Sequence, residues 1–456
     1  MPAKKILLCA FLFLAPFLVR AQYEDLIFED YDYKENIKSV QFRLNGLLLS
    51  RPIIELNSGE RLALAFDDMD GDVKNYVYTI IHCNRDWQPS NLATFEFLEG
   101  FPEDDLNNYD FSFNTKVFFT HFWLTLPNDD MKWTKSGNYL LVVYENDDEK
   151  IPVITRRFVV VEPVVHFYPN FSFPTDQSKF RTHQELDFKI STKGAELKNP
   201  RFSINTTIIQ NGNWNTAISD IPPFFLRNDT LMEFDYQDKI VFPAGREWRF
   251  LDLRSLRNPN QEFVIERFDD GYYVTLLKDK KRAIAPHLTI TDINGSFIIK
   301  NWDFQSRIPS SGESDILNIN SSKYFYPANN SLPIELQVDN LQSDYVRTLF
   351  SLDSPTEYQD ADVYLFGAFT NWKLKDEFKM AYNNQINGYV ASILLKQGYY
   401  NYVYALVDRK TGKVSFEDTE GNWYETENDY TILAYYRPFG ERYDRVIGAF
   451  NFKSIR

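Results

Sequence analysis

Alternation with a period of two residues runs through most of the chain and restricts it to β structure. VQFRL (40–44), RLALAF (61–66), VKNYVYTIIH (73–82), YLLVVYE (139–145) and IPVITRRFVVVEP (151–163) each put apolar and polar side chains on opposite faces of an extended strand. The last two flank NDDEK and read as a hairpin. Aromatic residues make up 16% of the chain, with 39 Phe and 28 Tyr, and such rings suit a pleated, half-buried surface. Farther on, ELDFKIS, RFSINTTII, EWRFLDL, YYVTLL, HLTITDI and SFIIKNW read as strands separated by turn signals such as QNGN (210–213) and DING (292–295). DYVRTLFSL, DVYLFGAF, GYVASILLK and YYNYVYALVD continue the pattern. No short-period repeat is present, which argues against solenoids and propellers.

The N-terminus reads MPAKKILLCAFLFLAPFLVRAQ. Lys4 and Lys5 precede an apolar run from Ile6 to Val19, and Val19 and Ala21 stand at the minus-three and minus-one places of a cleavage site. The run is too short to cross a bilayer, so it reads as a secretory leader. Cys9 follows Leu8 and lies too early for a lipoprotein site. The proline-bearing stretch VEPVVHFYPNFSFPTD then marks the end of a first domain near residue 163. The expected fold class is all-β, with consecutive immunoglobulin-like or early-set β-sandwich domains after a cleaved signal peptide. The expected units are a leader at 1–21, an N-terminal β-sandwich at 22–163, a middle β domain at 164–340 and a C-terminal early-set sandwich at 341–456.

Charge and cysteine content narrow the function. Without residues 1–21 the chain loses Lys4, Lys5 and Arg20 and no acid, leaving 64 acidic against 46 basic residues, a net charge of −18. Such a field repels nucleic acid and anionic membrane surfaces. Cys83 is the one cysteine outside the leader, so no internal disulfide is expected and stability must come from packed cores.

FDDMDGDVKNYVYTIIHCNRDW (66–87) is the stretch that most invites a chemical reading. Asp67, Asp68, Asp70 and Asp72 surround Gly71. An EF-hand with Gly71 at position six would need ligands at Phe66 and Val77, and neither side chain has an oxygen to offer. The Asp-Gly pair between strand-like runs reads instead as a hairpin turn. His82, His121, His166, His183 and His287 lack metal-ligand spacing, and neither G-x-G-x-x-G nor G-x-S-x-G occurs. His82 and Cys83 are neighbours on a strand and point to opposite faces, so Cys83 reads as a small buried apolar group. EDTEGNWYETENDY (417–430) places six acids around Trp423 and Tyr424 and reads as a solvated acidic loop pinned by its aromatics. No catalytic, cofactor-binding or metal-ligating residue is assigned, no cofactor is expected, and the chain is expected not to be an enzyme.

Two resemblances give the chain a direction. DVYLFGAFTNWKLKDEFKM (362–380), followed by GYVASILLKQGYYNYVYALVD, is similar to the early-set sandwich of glycogen-binding modules. Gly367, Phe369, Trp372, Gly398, Tyr400 and Tyr402 occupy the matching positions, while that family's V-D-G turn is here VDRKTG. Trp372 then serves either as a sugar platform or as a plug for its own sandwich. The second resemblance is broader. FDDMDGDVKNYVYTIIHCNRDWQPSNL, GREWRFLDLRSL (245–256) and GNWYETENDYTILAYYRPFGERYDRVIG (421–448) resemble the type IX secretion system plug protein family of Bacteroidetes. That resemblance implies a periplasmic protein, peripheral to the outer membrane, that docks on the giant outer-membrane barrel of the translocon. It closes the periplasmic opening when no substrate is engaged. Other translocon subunits are further candidate partners; nucleic acid and a membrane span of its own are not expected. The alternative is an exported carbohydrate-binding multidomain β protein built around Trp372 and Trp423. An outer-membrane barrel fits poorly because strand lengths are uneven and prolines interrupt them. A hydrolase would need two acids of the 417–430 loop to converge in a cleft.

Overall fold

A computed structural model describes residues 25–146, 150–258, 262–303 and 334–454. The expected leader lies outside the described residues. Strands dominate, and the described α-helices are short: Thr94–Phe97, Pro200–Ser203 and Ile334–Gln342. The all-β expectation holds.

The first sandwich follows directly from the alternating runs. One sheet orders the strands Ile37–Leu44, Leu62–Asp68, Thr120–Leu126 and Tyr109–Phe111, all antiparallel. The facing sheet orders Tyr31–Asp32, Lys150–Val161, Gly137–Asn146, Tyr76–Cys83 and Asp104–Asp105, and Ile53–Glu55 joins Lys150–Val161 in parallel. The hairpin read around NDDEK is present, with Asn146 opposite Lys150. Inward rings fill the space between the sheets. Phe66 stacks on Phe122 at 5.4 Å, and Tyr76 meets Phe122 edge-on at 4.9 Å. Edge-to-face contacts of this kind add to the gain from burying area alone.

The aspartate-rich stretch is not a hairpin turn. Leu62–Asp68 lies in one sheet and Tyr76–Cys83 in the other, so residues 69–75 cross between the layers. Asp68 closes the end of the core by accepting from Tyr76 Oη at 2.8 Å and from Asn36 Nδ2 at 2.6 Å. Asp67, one residue earlier, points the opposite way. Local turn chemistry is the same for a hairpin and for a crossover, so the sequence alone could not separate them.

Beyond residue 163 the units are interleaved, and the expected boundary at residue 340 is crossed twice. The second sandwich opens with a sheet of His166–Ser172, His183–Ser191, Leu231–Phe234 and Phe225–Asn228. Its other sheet orders Ile218–Ile221, Ile204–Gln210, Asp429–Tyr436 and Arg445–Lys453. The last two strands of the chain therefore complete it, with Ile204 opposite Tyr436 and Gln210 opposite Tyr430. The third unit is inserted between these parts as a ten-stranded sheet. Its path runs Arg249–Asp252, Gly398–Asp408, Ala361–Phe366, Lys379–Asn383, Gly388–Lys396, Tyr345–Asp353, Gly271–Leu276 and Phe263–Phe268. Leu251 and Phe263, from its two ends, share one core with Val363, Leu395 and Tyr404, so the sheet curls around that core. The run HLTITDI, expected as a strand, is irregular: Asp292 turns to accept from the backbone N–H groups of Trp248 and Asn294.

Gly398 opens the longest strand of the curled sheet at a point where a side chain has no room. A methyl group there would run into the Ile298 backbone carbonyl. Gly398→Ala is expected to cost roughly 1–3 kcal/mol, the range for overpacking against backbone that cannot yield. Urea unfolding of the variant against the parent measures it. The Cys83 thiol is fully buried, and burial pushes its pKa up. A thiol reagent should leave it unmodified in the native protein and react with one equivalent only after unfolding.

Candidate functional site

No group of three or more His, Cys, Asp or Glu side chains able to hold a metal occurs among the described residues. The histidines have structural partners instead. His82 bridges Ser90 Oγ at 2.8 Å and the Ser136 carbonyl at 3.2 Å inside the first sandwich. Cys83 faces the other way and packs with Ile81, Trp87 and Leu140. The two do not meet, as their alternation requires. His287 Nε2 lies 2.7 Å from Glu247.

Two of the three resemblance segments, 66–92 and 421–448, reach seams between units, while 245–256 lies inside the curled sheet. At the seam between the first sandwich and the curled sheet, Asp67 takes three partners. Lys396 Nζ lies 2.5 Å from Oδ2, Tyr345 Oη donates to the same oxygen at 2.6 Å, and His121 Nδ1 lies 2.6 Å from Oδ1. Ser39 Oγ lies 2.8 Å from Tyr345 Oη, and the Phe119 ring stands 4.1 Å from the Lys396 ammonium. Asp67, Lys396, His121 and Tyr345 are all buried. Burial opposes the Asp67 charge, but the Lys396 ammonium and the His121 hydrogen bond outweigh it and hold the carboxyl below its ordinary range. Burial also lowers the His121 pKa, so its ring is neutral at pH 7 and donates from Nδ1.

The C-N-x-D-W element forms the seam between the first and second sandwiches. Arg85 Nε reaches Asp220 at 2.6 Å and Nη1 reaches Asp444 at 3.2 Å. Trp87, in the left-handed region at φ 62°, turns its ring edge-on to Trp214 at 4.9 Å. The Arg157 guanidinium covers Trp87 at 4.7 Å. Tyr435 Oη donates to Asn138 Oδ1 at 3.0 Å across the same seam.

GREWRFLDL and the 417–430 loop meet inside the curled sheet. Arg249 Nε bonds Glu420 Oε1 at 3.0 Å, and its Nη1 bonds Asp279 Oδ1 at 2.8 Å. Arg282 also reaches Glu420, at 2.7 Å, and Tyr402 and Tyr404 donate to Asp279 at 2.8 and 2.7 Å. Burial opposes ionisation of Glu420, yet the two arginines keep its pKa lowered. Of the six acids in the expected solvated loop Glu420 is buried, while Glu417, Asp418 and Glu425 are exposed, so the loop is solvated apart from that one pinned carboxylate. Asp418 goes to Lys281, Glu427 to Lys453 and Asp429 to Arg51, so these carboxylates turn to separate cations. The aromatics are likewise committed to packing. Trp372 sits half-buried against Trp248 at 5.6 Å and Phe366 at 5.7 Å, and Phe369 meets Tyr400 at 5.9 Å. Trp423 is half-buried near His287 and Arg246.

Residues 37–162, which carry the Asp67 and Trp87 elements, match the family model described as the type 9 secretion system plug protein 1st domain. This segment is therefore similar to the plug-family first domain. A crystal structure of a hypothetical protein from Parabacteroides merdae shares the architecture, with a TM-score of 0.80 and 29% sequence identity. The similarity covers 94% of this chain and 100% of that one. No curated protein matches the chain.

The first sandwich also carries a concentration of exposed rings along the sequence. Phe95 (83% exposed), Phe101, Phe111, Phe113 and Phe118 (73%) are more than half exposed and fall within 24 residues of one another. No alternation signals them, because they stand on short edge elements and loops rather than on regular strands. They were not singled out from the sequence.

Lys396→Met should destabilise the protein by about 3–5 kcal/mol, because it leaves the Asp67 carboxylate buried without a counter-charge. Adding Asp67→Asn should recover much of that loss. Denaturant unfolding of both variants separates a broken pair from lost packing. The buried histidines set a pH dependence. The His82 pKa is lowered by burial to about 4. The unfolded chain therefore takes up the proton first, and stability present above about pH 6.5 is lost as pH falls toward 4, by roughly 3 kcal/mol. Asp67 and Glu420 act lower. Their stabilisation is present above about pH 4 and is lost as pH falls through their depressed folded values. Urea midpoints measured from pH 7 to 2 should fall in two stages, and His82→Gln should make the upper stage shallower.

Proposed function

We propose that this protein is a periplasmic subunit of the type IX secretion translocon that docks on the giant outer-membrane barrel and seals its periplasmic opening. In this reading it acts by binding and not by catalysis. The observation that carries the reading is the match of residues 37–162 to the plug first-domain family. The leader expected at 1–21 supports export to the periplasm, and no helix among the described residues is long and apolar enough to cross a membrane.

The physical case concerns rigidity and surface. A seal over a wide pore must resist deformation. Buried ion pairs and aromatic contacts join the first sandwich to both other units, at Asp67–Lys396 and at Arg85–Asp444. The exposed phenylalanines of the plug domain supply the kind of anchor that dominates protein–protein contacts, within an acidic surface that keeps the free protein soluble. Trp372 and Trp423 offer no comparable exposed ladder for a sugar.

Affinity purification of the tagged chain from gently solubilised native outer membranes should recover a very large barrel protein at near-equal stoichiometry. Adding the purified protein to that barrel in a planar bilayer should lower its conductance. Phe95→Ser with Phe118→Ser should weaken the association at least tenfold, as loss of hot-spot rings does, while leaving the melting temperature unchanged. Recovery of no barrel, or conductance that does not respond, would sink the reading.

A further inference from the structure

Four arginines line one cavity of about 150 Å³ at the meeting point of the three units, and one of them has no counter-charge. The first sandwich contributes Arg43, Arg51, Arg156 and Arg157, the second Trp214, and the curled sheet Trp372. The strand Ile37–Leu44 explains how Arg43 gets there. Val40, Phe42 and Leu44 pack on the core of the first sandwich, so Gln41 and Arg43 face outward, toward the other units.

Arg43 is 8% exposed, and among the described residues its guanidinium has one hydrogen-bond partner, the neutral Gln41 Oε1. Burial lowers its pKa to about 10, which still leaves it charged at neutral pH. Arg51 reaches Asp429 from Nη2 at 3.3 Å, but its buried Nε–H has no acceptor among the described residues. Arg156 is paired with Asp32 at 2.6 Å. Arg157 lies against Trp87 and Trp214, with Asp30 accepting from its backbone N–H. Four guanidinium groups and the Lys375 ammonium, which shares Asp32, thus face three carboxylates, Asp30, Asp32 and Asp429, and positive charge is left over. The second sandwich is cut to fit. A side chain at Gly212, in the QNGN turn at φ +70°, would collide with the Arg51 guanidinium.

A buried cation without a counter-charge is strongly unfavourable. An anion that completes the site removes that penalty more fully than water can, and the volume of about 150 Å³ far exceeds the roughly 10–15 Å³ that a single water molecule needs. We propose that this cavity binds a small tetrahedral oxyanion of the phosphate or sulfate class, held by Arg43 and the free Nε–H of Arg51. Guanidinium forks match such oxyanions in both charge and geometry. The walls come from all three units, so the bound anion ties them together. This site stands apart from the docking reading and survives its failure.

Calorimetric titration of the full chain with inorganic phosphate, at ionic strength fixed with chloride, tests the proposal. Saturable binding at one site per chain is expected, together with a rise in melting temperature. Arg43→Met should weaken that binding about tenfold or more, as loss of a charge-assisted hydrogen bond does. In phosphate-free buffer the same variant should melt no lower than the parent, because the uncompensated charge is gone. If Arg43→Met fails to fold, Arg51→Met reads the same loss of phosphate response. Absence of saturable binding to the parent overturns the site, and so does binding that both variants retain. Glycerol 3-phosphate distinguishes the source. Binding of both compounds assigns the site to a phospholipid headgroup or similar ester, and binding of inorganic phosphate alone assigns it to the free ion.

Discussion

The arrangement of the units depends on a carboxylate that water never reaches. Asp67 leaves the end of its strand and is met in the seam by Lys396, Tyr345 and His121. Desolvating an aspartate and a lysine together is costly. The cost is offset only when each charge has a partner at hydrogen-bonding distance and the remaining lone pairs are filled. Such a pair is a weak source of net stability but a strict source of register. Sliding the seam by one residue would strand a charge in an apolar interior. The same logic repeats at Arg249, where one guanidinium satisfies Glu420 and Asp279 and leaves the tyrosines at 402 and 404 to complete the shell.

The distribution of these contacts explains why the protein carries so much acid yet offers so little acid chemistry. Asp68, Asp32, Glu420 and Asp429 are each drawn to a cation or an amide, and the buried histidines bond inside the protein, His82 to a hydroxyl and a carbonyl and His121 to Asp67. The aromatic surplus is spent in a similar way. Most of the large rings close seams and cores, and Phe95, Phe101, Phe111, Phe113 and Phe118 depart from that pattern by facing solvent.

Much of this was legible in the sequence where the information is local. Alternation located the strands at 37–44, 62–68, 76–83 and 137–161 within a few residues, the hairpin at NDDEK, and the opposite faces of His82 and Cys83. The C-N-x-D-W element and the aspartate stretch carried the plug-family likeness. What failed was non-local. The turn at Gly71 has the same local chemistry whether the chain reverses or crosses, so its role as a crossover was invisible. HLTITDI has a strand's pattern, but Asp292 is recruited by two backbone amides and the run stays irregular. Asp429–Tyr436 pairs with Ile204–Gln210 from more than 200 residues away, which no short window could reveal. Arg43 was passed over because an arginine on an alternating strand reads as surface until the unit that covers it is known.

The return of the last two strands to the second sandwich also governs the order in which the chain can acquire structure. Until residues 429–453 have been made, Ile204–Gln210 lacks the neighbour on one of its edges, and Ile204 and Ile208 lack the core that Tyr430, Ile432 and Ala434 complete. The curled sheet is enclosed within that same loop of sequence. Pairings this distant close late, after a large entropic cost has been met. A nascent chain therefore has the strands of its first sandwich and of the curled sheet in hand before the second sandwich can close, and that sandwich waits for the last strands of the chain.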